Sequence, residues 1–190
     1  MSILLTGFEP FNGASVNPSW EAVLRVPYSI CGHEVHRMRL PVVYQKAAAE
    51  LLVEISRLRP TLVICCGVAS GRRAVTPELA ALNFRYAAIP DNAGQLFSGT
   101  PILPHGENAL MTSLPIQRIL DALTAAGVPN TLSLSAGAYV CNDLYYHLLL
   151  QEEELGYRGL FVHVPDGDVL DADSAARAIT ACCEAVLTAE

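Results

Sequence analysis

Strand-length apolar runs, separated by stretches with helical periodicity, constrain this chain more than any single motif does. The runs are "ILLTGF" at 3–8, "EVHRMRLPV" at 34–42, "TLVICCG" at 61–67, "ELAALNF" at 78–84, "NTLSLSA" at 130–136 and "LFVHV" at 160–164. Their length and composition fit strands, with the last two near the centre of a sheet. Between them, Tyr44, Ala48, Leu51, Leu52, Ile55 and Leu58 fall on one face of a helix over 43–58, stopped by Pro60. A second stripe, Ile116, Ile119, Leu120 and Leu123, predicts a helix over 115–126 that Gly127 and Pro129 end. A helix through Leu144 and Leu148 carries Cys141 in its first turn, and a last one spans 174–188 after "DADS". Asn17 followed by Pro18 reads as the cap and first position of an early helix through Trp20, Ala22 and Val23. Alternating strands and helices imply an α/β fold, a sandwich built on a mostly parallel sheet. No internal repeat or linker interrupts residues 1–190, so one domain is expected.

Composition removes several classes of function. A net charge of -7 with no basic run repels nucleic acid and anionic membrane surfaces. The longest apolar run, near "LVICCGVA" at 62–69, is far short of the roughly 20 residues that cross a bilayer. The start "MSILLTGFEP" lacks signal-peptide features, which points to the cytoplasm. Cysteines at 31, 65, 66, 141, 182 and 183 lack the spacing of a disulfide framework or a zinc site, so reduced thiols, no metal and no cofactor are expected.

Ligands of open α/β sheets bind beyond the carboxyl ends of strands, where Cys141 is expected. A helix N-terminus favours thiolate, and its free amides can hold an oxyanion, so Cys141 is a candidate nucleophile; the alternative is a small buried hydrophobe. Among five histidines, His147 lies about 240° round the helix from Cys141 and diverges from it. His163, in a strand ending at Pro165, lies near the same edge and is the candidate base, against a purely structural role. Glu78 is the candidate group to orient the imidazole, ahead of Glu107 and the solvated run Glu152, Glu153 and Glu154. "GFEPFNG" at 7–13 fails the spacing of a phosphate loop; its Phe8 and Phe11 suit a flat apolar pocket or plain core packing.

The segments "LLTGFEPFNGASVNPSWEAV", "GVASGRRAVTPELAALNF", "IPDNAG", "LPIQRI", "SAGAYVCN" and "FVHVP" occur in an order that resembles the pyroglutamyl peptidase I family of cysteine peptidases, across nearly the whole chain. The resemblance implies an α/β/α sandwich, often tetrameric or dimeric, in the cytoplasm. It also implies removal of N-terminal pyroglutamate from small peptides through a thioester. It maps the catalytic triad onto Cys141, His163 and Glu78. It places Phe8 and Phe11 around the lactam ring, with Asn17 and Val68 beside them.

The chain departs from that family in three places. Val68 replaces a glutamine of many bacterial members, and Ala88 replaces an arginine thought to assist the oxyanion, with Arg85 and Arg72 as nearby substitutes. The segment after Pro165 is shorter than usual. Two other readings therefore stand beside the peptidase: a weakened or inactive member that binds pyroglutamyl groups, and a cysteine amidase for another cyclic or N-blocked substrate.

Overall fold

A computed structural model describes residues 2–188, so the two ends of the expected domain lie outside the described residues. Its frame is a six-stranded sheet built from β1 (Ser2–Phe8), β2 (Ser29–Ile30), β3 (His33–Leu40), β4 (Leu62–Val68), β5 (Thr76–Pro77) and a late strand (Arg158–Val164) that is β10 in chain order. Their spatial order is β2-β3-β1-β4-β10-β5; β3, β1, β4 and β10 run parallel, and β2 and β5 close the edges antiparallel. Strands β1, β4 and β10 are buried along almost their whole length and mostly apolar because helices cover both their faces, as in buried parallel sheets.

One face buries Ile3, Leu5, Ile64 and Leu160 beneath α1 (Pro18–Arg25), α3 (Ile116–Ala125) and α6 (Ala172–Leu187). The other buries Leu4, Val63, Cys65 and Phe161 beneath α2 (Lys46–Leu58) and α4 (Val140–Leu150), which α5 (Glu152–Leu155) follows. The result is the expected three-layer α/β/α sandwich. None of the described helices is long and apolar enough to cross a membrane.

Local chemistry sets the helix starts. The Asn17 side chain accepts from Ser19 N at 3.1 Å and caps α1, with Pro18 at its first position. Strand β1 and α1 touch backbone to backbone, so a Cβ on Gly7 would fall 2.6 Å from Trp20 Cα. Helix α2 begins later than its apolar stripe predicts. The amides of Tyr44 and Gln45 bond instead to the carboxylates of Asp91 and Asp143, at 3.0 and 2.8 Å, and Gln45 turns to φ 63°.

Two strand expectations are corrected. Of 78–84, only Ala80–Leu82 forms a strand, β6, and it pairs with β9 (Ala109–Met111) in a separate ribbon; β7 (Arg85–Tyr86) and β8 (Ser98–Thr100) form another. The segment 130–136 is neither a strand nor central. It runs outside β5, bridged in parallel from Val75 to Asn130 and from Glu78 to Ser133, with Thr131 N bonded to Val75 O and Ser133 N to Pro77 O, each at 3.1 Å. Its leucines, Leu132 and Leu134, face solvent, so their alternation with serine marks an unpartnered edge rather than a core.

Candidate active site

The site assembles where β4, β10 and α4 meet. Glu78 is fully buried, its amide bonded to Phe161 O at 2.9 Å and its carbonyl taking the Tyr145 hydroxyl at 2.9 Å. Its Oε1 lies 2.7 Å from His163 Nδ1 and 2.6 Å from Arg72 Nη1. Burial pushes the Glu78 carboxyl up, but the hydrogen bond and charge of His163, with Ser133 and Arg72, hold it below the usual carboxylate range. An ionised carboxylate only accepts, so Nδ1 of His163 carries the proton and Nε2 keeps its lone pair. Burial lowers the affinity of His163 for a second proton, although Glu78 opposes this, and the resting imidazole is neutral.

Cys141 reaches this group through Gly67. Gly67 is the register partner of His163 across β4 and β10, and a Cβ built on Gly67 would stand 3.0 Å from Cys141 Sγ. The missing side chain opens the space in which the thiol sits, beside the strand that carries the histidine. Cys141 does not leave a central strand directly: after the edge segment, Ala136 N bonds to Ala80 O and Tyr86 N to Ala138 O before α4 starts. The expected thiolate is also corrected. Burial, then the charge of Glu78, pushes the Cys141 thiol up to about 12, outweighing the backbone amide at the helix end that favours the anion. The two groups therefore rest as neutral thiol and neutral imidazole.

Phe8, Phe11, Asn17, Val42, Val68 and Tyr139 form an apolar cleft with Val140 and Cys141. All four residues expected around the lactam ring, Phe8, Phe11, Asn17 and Val68, thus line one wall system with the thiol. Much of the Asn17 side chain serves the scaffold: Oδ1 accepts from Ser19 N and Oγ, and Nδ2 donates to Glu9 O at 2.9 Å. Tyr139 had no sequence signal beyond its place before the helix. Its ring lies 6.3 Å from that of Phe11, and its hydroxyl donates to Pro90 O at 3.0 Å. His147 faces the Asp143 and Arg85 pair instead of the thiol, as the helical geometry predicts.

The two arginines considered as substitutes at position 88 are engaged elsewhere. Arg85 is buried, with Nε 2.6 Å from Asp143 Oδ1, and Arg72 is bonded to Glu78 and Thr76. Ala88 itself is exposed. Sequence reasoning placed Arg72 near an oxyanion; the structure has it clamping the carboxylate that orients the histidine.

A family model described as pyroglutamyl peptidase matches residues 1–186. The chain is 40% identical to a pyrrolidone-carboxylate peptidase of Enterococcus faecalis over 167 residues, 87% of this chain and 78% of that protein. It is 44% identical to one of Klebsiella pneumoniae over 165 residues, 86% and 77% of the two chains. Among solved structures, pyroglutamyl peptidase I from Bacillus amyloliquefaciens superposes with a TM-score of 0.91 at 36% identity, covering 97% of this chain and 94% of that one. A pyrrolidone carboxyl peptidase from Pyrococcus furiosus superposes with a TM-score of 0.93 at 31% identity, covering 100% and 99%.

Proposed function

The chain belongs to the pyroglutamyl peptidase family, cysteine peptidases that remove N-terminal pyroglutamate, and we propose that Cys141, His163 and Glu78 carry that reaction here. One observation supports the assignment above others: Glu78 fixes Nδ1 of His163 at 2.7 Å, on the strand position paired with the glycine against which the Cys141 sulfur packs.

The chemistry follows from the resting protonation states. As substrate binds, Nε2 of His163 takes the Sγ proton while sulfur attacks the pyroglutamyl carbonyl carbon, and the carbonyl electron pair moves onto oxygen. The amide of Cys141, at the start of α4, donates to that oxyanion. Collapse re-forms the carbonyl and breaks the carbon–nitrogen bond, and the imidazolium proton goes to the leaving peptide amine. Water, deprotonated by His163, then hydrolyses the thioester and returns the thiol. Glu78 keeps the histidine tautomer fixed and stabilises the imidazolium in both halves.

The cleft suits the substrate. A neutral five-membered lactam has no α-ammonium to neutralise, and none of the residues lining the cleft is charged. Phe8, Phe11 and Tyr139 supply flat apolar surface, and small peptides with N-terminal pyroglutamate are the proposed partners. The exposed Ala88, with Arg85 and Arg72 engaged elsewhere, favours a second reading in which turnover is weakened while ring binding persists.

Release of aminomethylcoumarin from its pyroglutamyl derivative tests the assignment in wild type and Cys141→Ala, with prolyl and glutamyl derivatives as controls. Turnover of the pyroglutamyl compound alone, lost in the variant, is expected. Turnover that survives in Cys141→Ala refutes the nucleophile, and tight pyroglutamate binding without turnover selects the weakened reading.

The whole chain is proposed to act as one catalytic domain in the cytoplasm, in keeping with its six free cysteines; recovery in a membrane or secreted fraction would oppose that location. It is also proposed to form a homo-oligomer, a tetramer or dimer, because Tyr86, Leu96, Met111 and Leu134 expose large apolar side chains. Light scattering that gives a monomer mass at micromolar concentration refutes the assembly.

A further inference from the structure

The cleft beside Cys141 shares a wall with a second depression. Phe11, Asn17 and Val68 line both, and the second continues past Asn12 and Pro18 to Ser70 and Asp166. Val68 is the register partner of Val164, the residue after His163, so the shared wall stands on the strand pair that holds the proposed base. Asp166 follows on the same strand end and is partly exposed.

The carboxylate of Asp166 is held in place without being neutralised. Its Oδ1 accepts from Ser70 Oγ at 2.9 Å and its Oδ2 from Gly71 N at 3.1 Å, both uncharged donors. The nearby arginines point to other tasks: Arg72 binds Glu78, and Arg73 lines a different depression with Thr131, Leu132, Ser133 and Leu134. The groove thus presents one fixed negative charge next to an uncharged cleft.

We propose that this groove receives the side chain of the residue following pyroglutamate, and that Asp166 makes it prefer a cationic one, lysine or arginine. The inference rests on the pyroglutamyl peptidase reading. With the ring in the cleft, the leaving amine must lie within reach of His163 to take its proton, so the chain beyond the scissile bond leaves on the side of β10, where Asp166 stands. The net charge of -7 adds to the attraction for a cationic peptide.

The test compares kcat/KM for pyroglutamyl-lysine, -arginine, -alanine and -glutamate amides in wild type and Asp166→Asn, at low salt and in 1 M NaCl. In wild type the basic peptides exceed alanine by roughly 3- to 5-fold, the worth of one exposed charge pair, mostly through KM, and glutamate falls below alanine. The ranking collapses in Asp166→Asn and in 1 M NaCl, where screening acts over about 3 Å. The alanine peptide, which brings no charge, is the reference within each protein. Absence of charge ranking in wild type, or a ranking that persists in the variant or in high salt, overturns the subsite. Hydrolysis of none of the peptides overturns the underlying peptidase reading instead. The wild-type series decides the matter even where the variant folds poorly.

Discussion

The sulfur of Cys141 occupies the space that Gly67 leaves by having no side chain. A Cβ at 67 would stand 3.0 Å from Sγ and 2.9 Å from Phe161 Cζ, so the thiol and the ring beside His163 are positioned by the same absence. Gly67→Ala must displace one or both. Displacement of a reacting atom by about 1 Å costs about 100-fold, and a loss of that order in kcat is expected, with a lowered melting temperature. A variant with near-native kcat would show that the thiol does not depend on this contact.

Glu78→Gln keeps the shape of the carboxylate but removes its charge. The amide can donate as well as accept, so the tautomer of His163 is no longer fixed, and the imidazolium loses its partner. By analogy with the catalytic-triad aspartate, kcat falls by about 10⁴-fold with KM little changed. A large KM effect with intact kcat would place Glu78 in substrate binding.

Because the Cys141 thiol is pushed up to about 12, alkylation by iodoacetamide should climb steadily with pH and reach no plateau below about pH 9. The profile is read in a Cys31→Ser background, since Cys31 is the other cysteine outside the buried set. A plateau near neutral pH would mean a preformed thiolate and a different activation step.

His163 is buried neutral, its folded pKa below the unfolded value near 6.5. A depressed pKa contributes stability above the unfolded value, and that contribution is lost as pH falls through 6.5 toward the folded pKa, at up to about 1.4 kcal/mol per pH unit. Denaturation midpoints should therefore fall between pH 7 and 5, and fall less in His163→Gln. Equal slopes in both proteins would assign the acid sensitivity to other groups.

Restoring the arginine that the family resemblance places at position 88 addresses the weakened reading. Ala88 is exposed, and Tyr139 ties the neighbouring Pro90 to the cleft, so a guanidinium there can approach the site. Ala88→Arg should raise kcat toward the roughly 100-fold that one oxyanion donor supplies, with stability unchanged. No gain, or a loss, would mean that backbone amides already suffice.

Periodicity located the buried strands and most helices because burial on two faces or one face writes itself into apolar spacing. It misplaced 130–136, where alternating leucines and serines lie on an open edge, because alternation records two faces without saying which is covered. It also ran α2 into Tyr44, whose amide is taken by Asp91, a residue distant in sequence. The pairing of Cys141 with His163 and Glu78 was approachable from strand ends and helix geometry. Arg72 on Glu78, Tyr139 beside Phe11 and the raised thiol pKa were not, since each depends on contacts and burial that only the folded chain creates.

Strand β10 is inserted between β4 and β5, although it comes long after both in the chain. The edge that carries Glu78 attaches to the sheet only through β10, and His163 arrives on β10 itself. A growing polypeptide thus contains Cys141 before His163, and pairings of such long sequence separation form late and slowly. The pairing of Glu78 with His163 is withheld until almost the last element has docked, so a chain halted part-way through synthesis holds the thiol without the buried acid–imidazole pair.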